Sequence, residues 1–398
     1  MHSVRARYAV LAVVATALLV ARWDVTGDWA FFVGARQEML GADGLGVYLR
    51  DPRIQIGPLA LVAGLPLTLL PGDGGIVAKV VVFALGLACV RMAELLAVAL
   101  RGTVEPARAL LGGLLFLPLW AFVATSGHLD DALAVAGILA AMLAVTRDRE
   151  TACGLLLGLA VAAKPWALTA VAIVWGLRRG RRTRALLAAA AVVAVSWAPF
   201  VIAEPGTVRA LADFRFGVVT TSGPALLFGL EGGEPYPAWL RPVQLGAAIM
   251  AAWAVAWRGG WWAVPAVAFG LRVVLEPGIT PYHAAGLGAG ALVVDLLTAG
   301  VLPILGLAVA VAATLPTYLF LALLRMDRLT EALQFNSRAA VLRVAASAAV
   351  VLIAASRGLS PARGPHPDRE SPTDAPVPRP RQEPQVDRGS PAPSTLEQ

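Results

Sequence analysis

The chain reads as an all-α polytopic membrane protein, a bundle of about twelve transmembrane helices with surface-lying helices in its first outer loop. Three observations predict this class. Of its 398 residues, 58% are hydrophobic and 15% charged, against about 45–50% and about 25% in soluble domains, and the mean hydropathy is +0.71. The apolar residues gather into runs that approach or exceed the roughly 20 residues a membrane-crossing helix needs. The basic residues behind the net charge of +7 stand in short clusters between those runs. That is the pattern of membrane topology, not of a nucleic-acid surface, so no nucleic-acid partner is expected.

The elements follow in order. His2, Arg5 and Arg7 precede the apolar run 8–21. No convincing small-residue cleavage site stands before Arg22-Trp23, so the run is read as an uncleaved first span with its N-terminus inside. The segment 22–56 carries mixed charge, and its stretch 28–40 has an amphipathic helical pattern. The run 56–70 is apolar but short, and Pro58, Pro66 and Pro71 interrupt it. Longer runs occupy 76–100, 108–125, 129–145 and 151–177, ahead of the dense basic cluster 178–184. Such a cluster belongs in the cytoplasm.

Counting back from that cluster orders the rest. The run 151–177 has Lys164-Pro165 at its middle. One continuous helix would bury a lysine at the midplane, at a cost of about 2.5–3.5 kcal/mol. Two short helices that meet at the outer surface avoid the cost and leave Arg147 and Arg149 inside. The turn 127–131 is then outside, Arg101 and Arg108 are inside, and 76–100 runs inward. The run 56–70 must therefore lie on, or dip into, the outer surface. Forward of the cluster, spans are expected at 185–203, 239–257, 261–275, 282–298, 301–324 and 339–355, with an outer loop at 204–238. Trp257, Trp261 and Trp262 suit an interfacial belt. Both termini come out cytoplasmic. Residues 1–356 form one transmembrane domain, and 357–398, rich in Pro and Arg, is expected to be a disordered cytoplasmic tail. Cys89 and Cys153 fall in apolar runs and read as buried thiols.

The count brings Asp28, Lys79, His128, Asp130, Asp131 and Lys164 to one face. Lys164 and Lys79 are the chain's two lysines against many arginines. Asp28 suits either a helix N-cap for 29–40 or a general base on a hydroxyl, with Asp24 as a competing candidate. Helix-terminal charge explains one of Asp130 and Asp131, but not both and not His128. Metal binding by this trio is possible, yet the spacing does not indicate it. Lys164 suits either an ion pair with one of these aspartates or a cation for a lipid-linked phosphate. Arg272 and Glu276 are spaced to pair along a helix. Tyr282 and His283 open the next span on the same side, and Arg91 with Glu94 reads as a structural pair.

Taken together these residues resemble the GT-C superfamily of membrane glycosyltransferases, and within it the mannosyltransferase-like group called family 87. The resemblance rests on Gly27-Asp28-Trp29 through Tyr48 and the stretch 55–59, on Gly127-His128-Leu129-Asp130-Asp131-Ala132-Leu133, and on the stretch from Gly158 to Trp166. It covers roughly residues 1–201, and beyond them mainly Arg272 and Tyr282-His283. The resemblance implies a polyprenyl-phosphate sugar donor, with mannose or another hexose or pentose as the sugar. It implies a glycan or glycolipid acceptor; with the charge count, the site is expected to be extracytoplasmic in the cell membrane, and no cofactor is expected, a divalent metal not being indicated. By the same analogy Asp28 is the catalytic base and Lys164 lies beside the donor phosphate, with Arg272, His283 and Lys79 read as further candidate phosphate contacts. His128, Asp130, Asp131 and Tyr282 would then contact substrate or supply a second acid. The alternative class is a secondary transporter or flippase. A transporter would carry its ionisable groups near the midplane on broken helices.

Overall fold

The computed structural model describes residues 3–21, 28–41, 44–278, 282–298, 303–313 and 329–359. Among them the chain is helical and polytopic in character. A single antiparallel bridge, Gly217 to Pro235, is its nearest approach to a sheet. Among the described residues six helices are long and apolar enough to cross a membrane, and shorter apolar helices stand between them.

The apolar runs become helices nearly where the sequence places them. Helix α1 spans Val4–Ala21, and α2 (Trp29–Met39) is the amphipathic segment of the first loop. A single turn, α3 (Val47–Arg50), follows, and then α4 (Pro58–Thr68). With 11 residues, α4 reaches about 16 Å at 1.5 Å per residue, too short to cross. It packs instead on α2 and on the end of α8. The long helices α5 (Gly75–Arg101), α6 (Pro106–Ser126) and α7 (Leu129–Thr146) come next. The interior is built around α7, most of whose residues are buried, with α5 and α8 on its flanks.

The run 151–177 divides as expected, into α8 (Glu150–Ala163) and a 3₁₀ segment, Pro165–Gly176. Proline at 165 lacks the N–H that would continue α8 and disfavours helical backbone at the residue before it. Lys164 is accordingly extended, at φ −147° and ψ 112°. The 3₁₀ form rises about 2 Å per residue, so its 12 residues cover about 24 Å, as far as 16 residues of α-helix. This stretch thus returns to the basic end on few residues.

Helix α9 (Arg179–Ala203) is followed by the short α10 (Thr207–Asp213) and α11 (Gly223–Phe228) in the loop before α12. Then come α12 (Leu240–Trp257), α13 (Val264–Val274), α14 (His283–Leu297), α15 (Ile304–Ala313) and α16 (Leu329–Leu359). Helix α16 carries the chain three residues past the expected boundary at 356. The remainder of the expected tail, 360–398, and most of the expected span 301–324 lie outside the described residues, as does Asp24. Cys89 and Cys153 are buried free thiols.

At one end of α7, Arg178 and Arg181 pair with Asp148 at 3.3 and 3.1 Å, and Arg181 and Arg184 with Glu150 at 3.3 and 3.5 Å. The first loop folds over the other end, about 27 Å away by the length of α7.

Candidate functional site

The site forms where α6 turns into α7. Helix α6 stops because Gly127 adopts the left-handed conformation, at φ 77°, a backbone shape that costs glycine little. The reversed bonds His128 N to Val123 O (3.0 Å) and Gly127 N to Ala124 O (3.2 Å) close the end. Glycine is required there for a second reason: an added Cβ would stand 2.6 Å from Cβ of Trp29. The first loop therefore lies flush on this turn, and Asp28 N donates to Ser126 O at 2.7 Å.

Asp28 is thereby fixed, and its side chain does not cap α2, which overturns the N-cap alternative. Its Oδ2 lies 2.8 Å from His128 Nε2. That is ion-pair separation, although the angle falls short of a well-aligned hydrogen bond. On its other side, His128 Nδ1 stands 3.4 Å from both Asp130 Oδ1 and Asp131 Oδ2. The ring of Tyr282 covers the imidazole, centroids 3.7 Å apart, and His283 packs edge-on to Tyr282.

Lys164 comes from the break between α8 and the 3₁₀ segment. Its Nζ donates to Asp130 Oδ2 and lies 3.7 Å from Asp131 Oδ2. The neighbouring backbone is clamped by Gly57 N donating to Ala163 O at 2.9 Å, and a Cβ on Gly57 would fall 2.1 Å from Ala162 O. Trp166 Nε1 donates to Asp131 Oδ1 at 2.8 Å, and its ring supports the Arg272 guanidinium at 4.4 Å. Arg272 itself stands 3.9 Å from Asp131 and 3.7 Å from Glu276. The expected Arg272–Glu276 pairing is thus present but long. Arg241 is the tighter partner of Glu276, at 3.0 Å, and Gln244 Nε2 joins at 3.2 Å.

Three carboxylates (Asp28, Asp130, Asp131) therefore face three cationic side chains (His128, Lys164, Arg272). Burial alone would push the His128 imidazolium down, but its contacts with Asp130 and Asp28 outweigh burial and lift it to about 9. The His128 contact in turn holds Asp28 below its ordinary carboxylate range, against partial burial. Burial would raise Glu276, yet Arg241, with His283 and Arg272, brings it down to about 2. Asp28 is the open member: its side chain is 44% exposed, whereas those of Asp130 and Asp131 are 0% and 6%.

His128, Asp130 and Asp131 each offer one ligand atom within 4.8 Å of the others, a grouping that fits a cation. In the arrangement described, Lys164 Nζ supplies positive charge beside two of them. Lys79 is buried on the second turn of α5, outside the ion pairs just described.

Sequence reading missed Arg241, Gln244, the indole N–H of Trp166 and the role of Tyr48. Tyr48 is buried against Trp197 and Phe200 of α9, and its hydroxyl donates to Ile56 O at 2.8 Å. One signal pointed to Arg241: on the expected topology it is an arginine at the outer end of a span, which runs against the charge rule and asks for a partner.

No family model matches the chain, and no curated protein matches it. Among solved structures it is similar to ArnT from Cupriavidus metallidurans bound to undecaprenyl phosphate. Identity is 13% over 90% of this chain and 78% of that one, with a TM-score of 0.45. The apo state of the same protein gives 17% identity over 88% and 77%, with a TM-score of 0.43.

Proposed function

We propose that the chain is a membrane glycosyltransferase that moves a sugar from a polyprenyl-phosphate donor to a glycan or glycolipid acceptor, with inversion. The observation that carries this reading is the state of Asp28. It is the half-exposed, ionised carboxylate at the rim of a buried charge cluster, and a backbone bond and an imidazolium hold it in place. An acid so placed suits general-base work on a hydroxyl better than it suits capping or structure.

In this reading the acceptor hydroxyl approaches Asp28 and gives up its proton as its oxygen bonds to the anomeric carbon. The bond from that carbon to the phosphate oxygen breaks, and the electron pair leaves with polyprenyl phosphate. Positive groups already in place stabilise the charge that grows there, without reorganising during the reaction. Here the ion pairs modify the expected roles. Lys164 is committed to Asp130 and Asp131, and its contribution is to keep those acids ionised and in register. Arg272, held on the Trp166 ring with no carboxylate closer than 3.7 Å among the described residues, is the better partner for the donor phosphate. The exposed Leu40, Leu45, Leu49, Val62 and Leu69 of the first loop and α4 offer apolar surface on which a polyprenyl chain can lie.

The test is sugar transfer by purified protein from a panel of polyprenyl-phosphate sugars. Asp28→Asn should lower transfer by ~10²–10⁴-fold while donor binding survives. Arg272→Gln should weaken donor binding as well, since its partner is present before and during reaction. Full transfer by Asp28→Asn would refute the base. A wild-type chain that moves a lipid-linked sugar across a vesicle without forming a glycosyl product would favour a flippase.

A further inference from the structure

Arg272 stands between two carboxylates and is hydrogen-bonded to neither. Its Nη1 lies 3.9 Å from Asp131 Oδ1 and its Nε 3.7 Å from Glu276 Oε2, both beyond the reach of about 3.2 Å that an N–H···O bond allows. In each case the facing oxygen already takes a closer donor. Trp166 Nε1 donates to Asp131 Oδ1 at 2.8 Å. Arg241 Nη1 and Gln244 Nε2 donate to Glu276 Oε2 at 3.0 and 3.2 Å. A guanidinium whose side chain is only 11% exposed thus rests on the Trp166 ring with its N–H donors uncommitted among the described residues. Donors so far from water are ordinarily bonded.

The group that holds Glu276 comes from the start of α12. Arg241 and Gln244 lie three residues apart there, on one helix face. Arg241 Nη1 also donates to Gln244 Oε1 at 2.6 Å, and Gln244 Nε2 also donates to the carbonyl of Arg272 at 2.9 Å. One amide therefore fixes the Arg241 guanidinium, the Glu276 carboxylate and the Arg272 backbone in a common frame. Phe216 and Tyr236, from the loop before α12, place their rings 5.2 Å from Arg241 Cζ, within cation–π range. Of the charges acting on Glu276, Arg241 is the strongest, ahead of His283 and Arg272.

We infer that Arg241 is a positioning residue for sugar transfer: it engages Glu276 and so leaves the Arg272 donors open to the phosphate of the lipid-linked donor. The inference rests on the reading of Arg272 as the phosphate partner. Glu276 is 1% exposed, and a buried carboxylate stripped of its cation must find another. Arg272, four residues back and 3.7 Å away, is at hand. Without Arg241 it would turn onto Glu276, and a carboxylate takes the same paired grip of guanidinium N–H groups that a phosphate takes. The plainer use of Arg241 is to tie α12 to the end of α13, which would affect stability and leave phosphate affinity alone.

The experiment measures binding of farnesyl phosphate to the full chain in detergent, with farnesol as the uncharged control, well below the unfolding temperature of each variant. The wild type should prefer the phosphate, and Arg272→Gln should lose that preference. Arg241→Gln should lower it roughly tenfold or more. Adding Glu276→Gln to Arg241→Gln removes the pull on Arg272 and should restore the preference. The loss in Arg241→Gln should persist as salt rises from about 0.1 M to about 1 M, where screening cuts the reach of distant charges from about 10 Å to about 3 Å. A preference retained in Arg241→Gln, one not restored in the double variant, or a loss that fades with salt would overturn the positioning role and leave Arg272 as the phosphate partner. An Arg241→Gln that is less stable yet keeps the preference would assign Arg241 to the α12–α13 tie alone. No preference in the wild type, or a full one in Arg272→Gln, would overturn the reading of Arg272 and the inference with it. Should Arg241→Gln fold poorly, Arg241→Lys keeps the charge but loses the planar fork and the ring contacts, and should lower the preference about threefold or more. An unchanged preference there would overturn the role too.

Discussion

Lys164→Met is predicted to damage the fold before it damages chemistry. Asp130 is fully buried, and its Oδ2 accepts from the ammonium that the substitution removes. Its other oxygen stands 3.4 Å from His128 Nδ1, a long contact shared with Asp131. Breaking a buried pair by removing one partner costs about 3–5 kcal/mol, because a desolvated charge is left behind. Native stabilities are about 5–15 kcal/mol in total, so the loss is a large part of what holds the bundle. The Lys164→Met/Asp130→Asn variant removes both charges and leaves similar volumes. It should recover most of that loss, since the pair as a whole contributes little beyond its own desolvation. Equilibrium unfolding in mixed micelles, followed by tryptophan fluorescence, measures both variants against the wild type. A single-variant cost under about 1 kcal/mol would refute the reasoning, and so would a double variant no more stable than the single one. In either case Lys164 would return to its other role, as a cation kept for phosphate.

Two further outcomes follow from the same cluster. His128 titrates at about 9 in the folded chain against an ordinary value of 6.5, and a raised basic group stabilises most while protonated. Its contribution should be whole below about pH 6.5 and fade as pH rises through about 9. The lowered Asp28 acts at the acid end, its share lost only as pH falls through its depressed value. His128→Gln should therefore flatten the alkaline limb of a stability–pH profile and, because the His128 contact is what holds Asp28 low, weaken the acid limb too; an unchanged alkaline limb would count against a charged His128. Gly127→Ala forces a left-handed backbone and drives a methyl into Trp29. It should cost about 1–3 kcal/mol and lower transfer with it, by shifting Asp28. Thermal unfolding and transfer assays on that one variant check both effects.

The sequence by itself determined where the helices are, because an apolar run between charged turns is a local property and its length sets whether it can cross. The break at Lys164-Pro165 was legible for the same reason: proline ends α8 whatever surrounds it. The charge rule also brought Asp28, His128, Asp130, Asp131 and Lys164 to a common level, and that much of the candidate site needed no coordinates. Which charge meets which was not legible. Asp28 could cap α2 or reach His128, and the choice was made by Gly127, whose missing Cβ lets the first loop settle on the α6–α7 turn. Lys164 could hold a phosphate or an aspartate, and the packing of α7 against α8 brought Asp130 to it. Arg241 reaches Glu276 across 35 residues, and Arg101 reaches Thr298 across 197. Such pairs depend on how helices lie side by side, a matter of side-chain volume over the whole interior. Buried charges leave no slack in it, because each must find its partner where the packing places it.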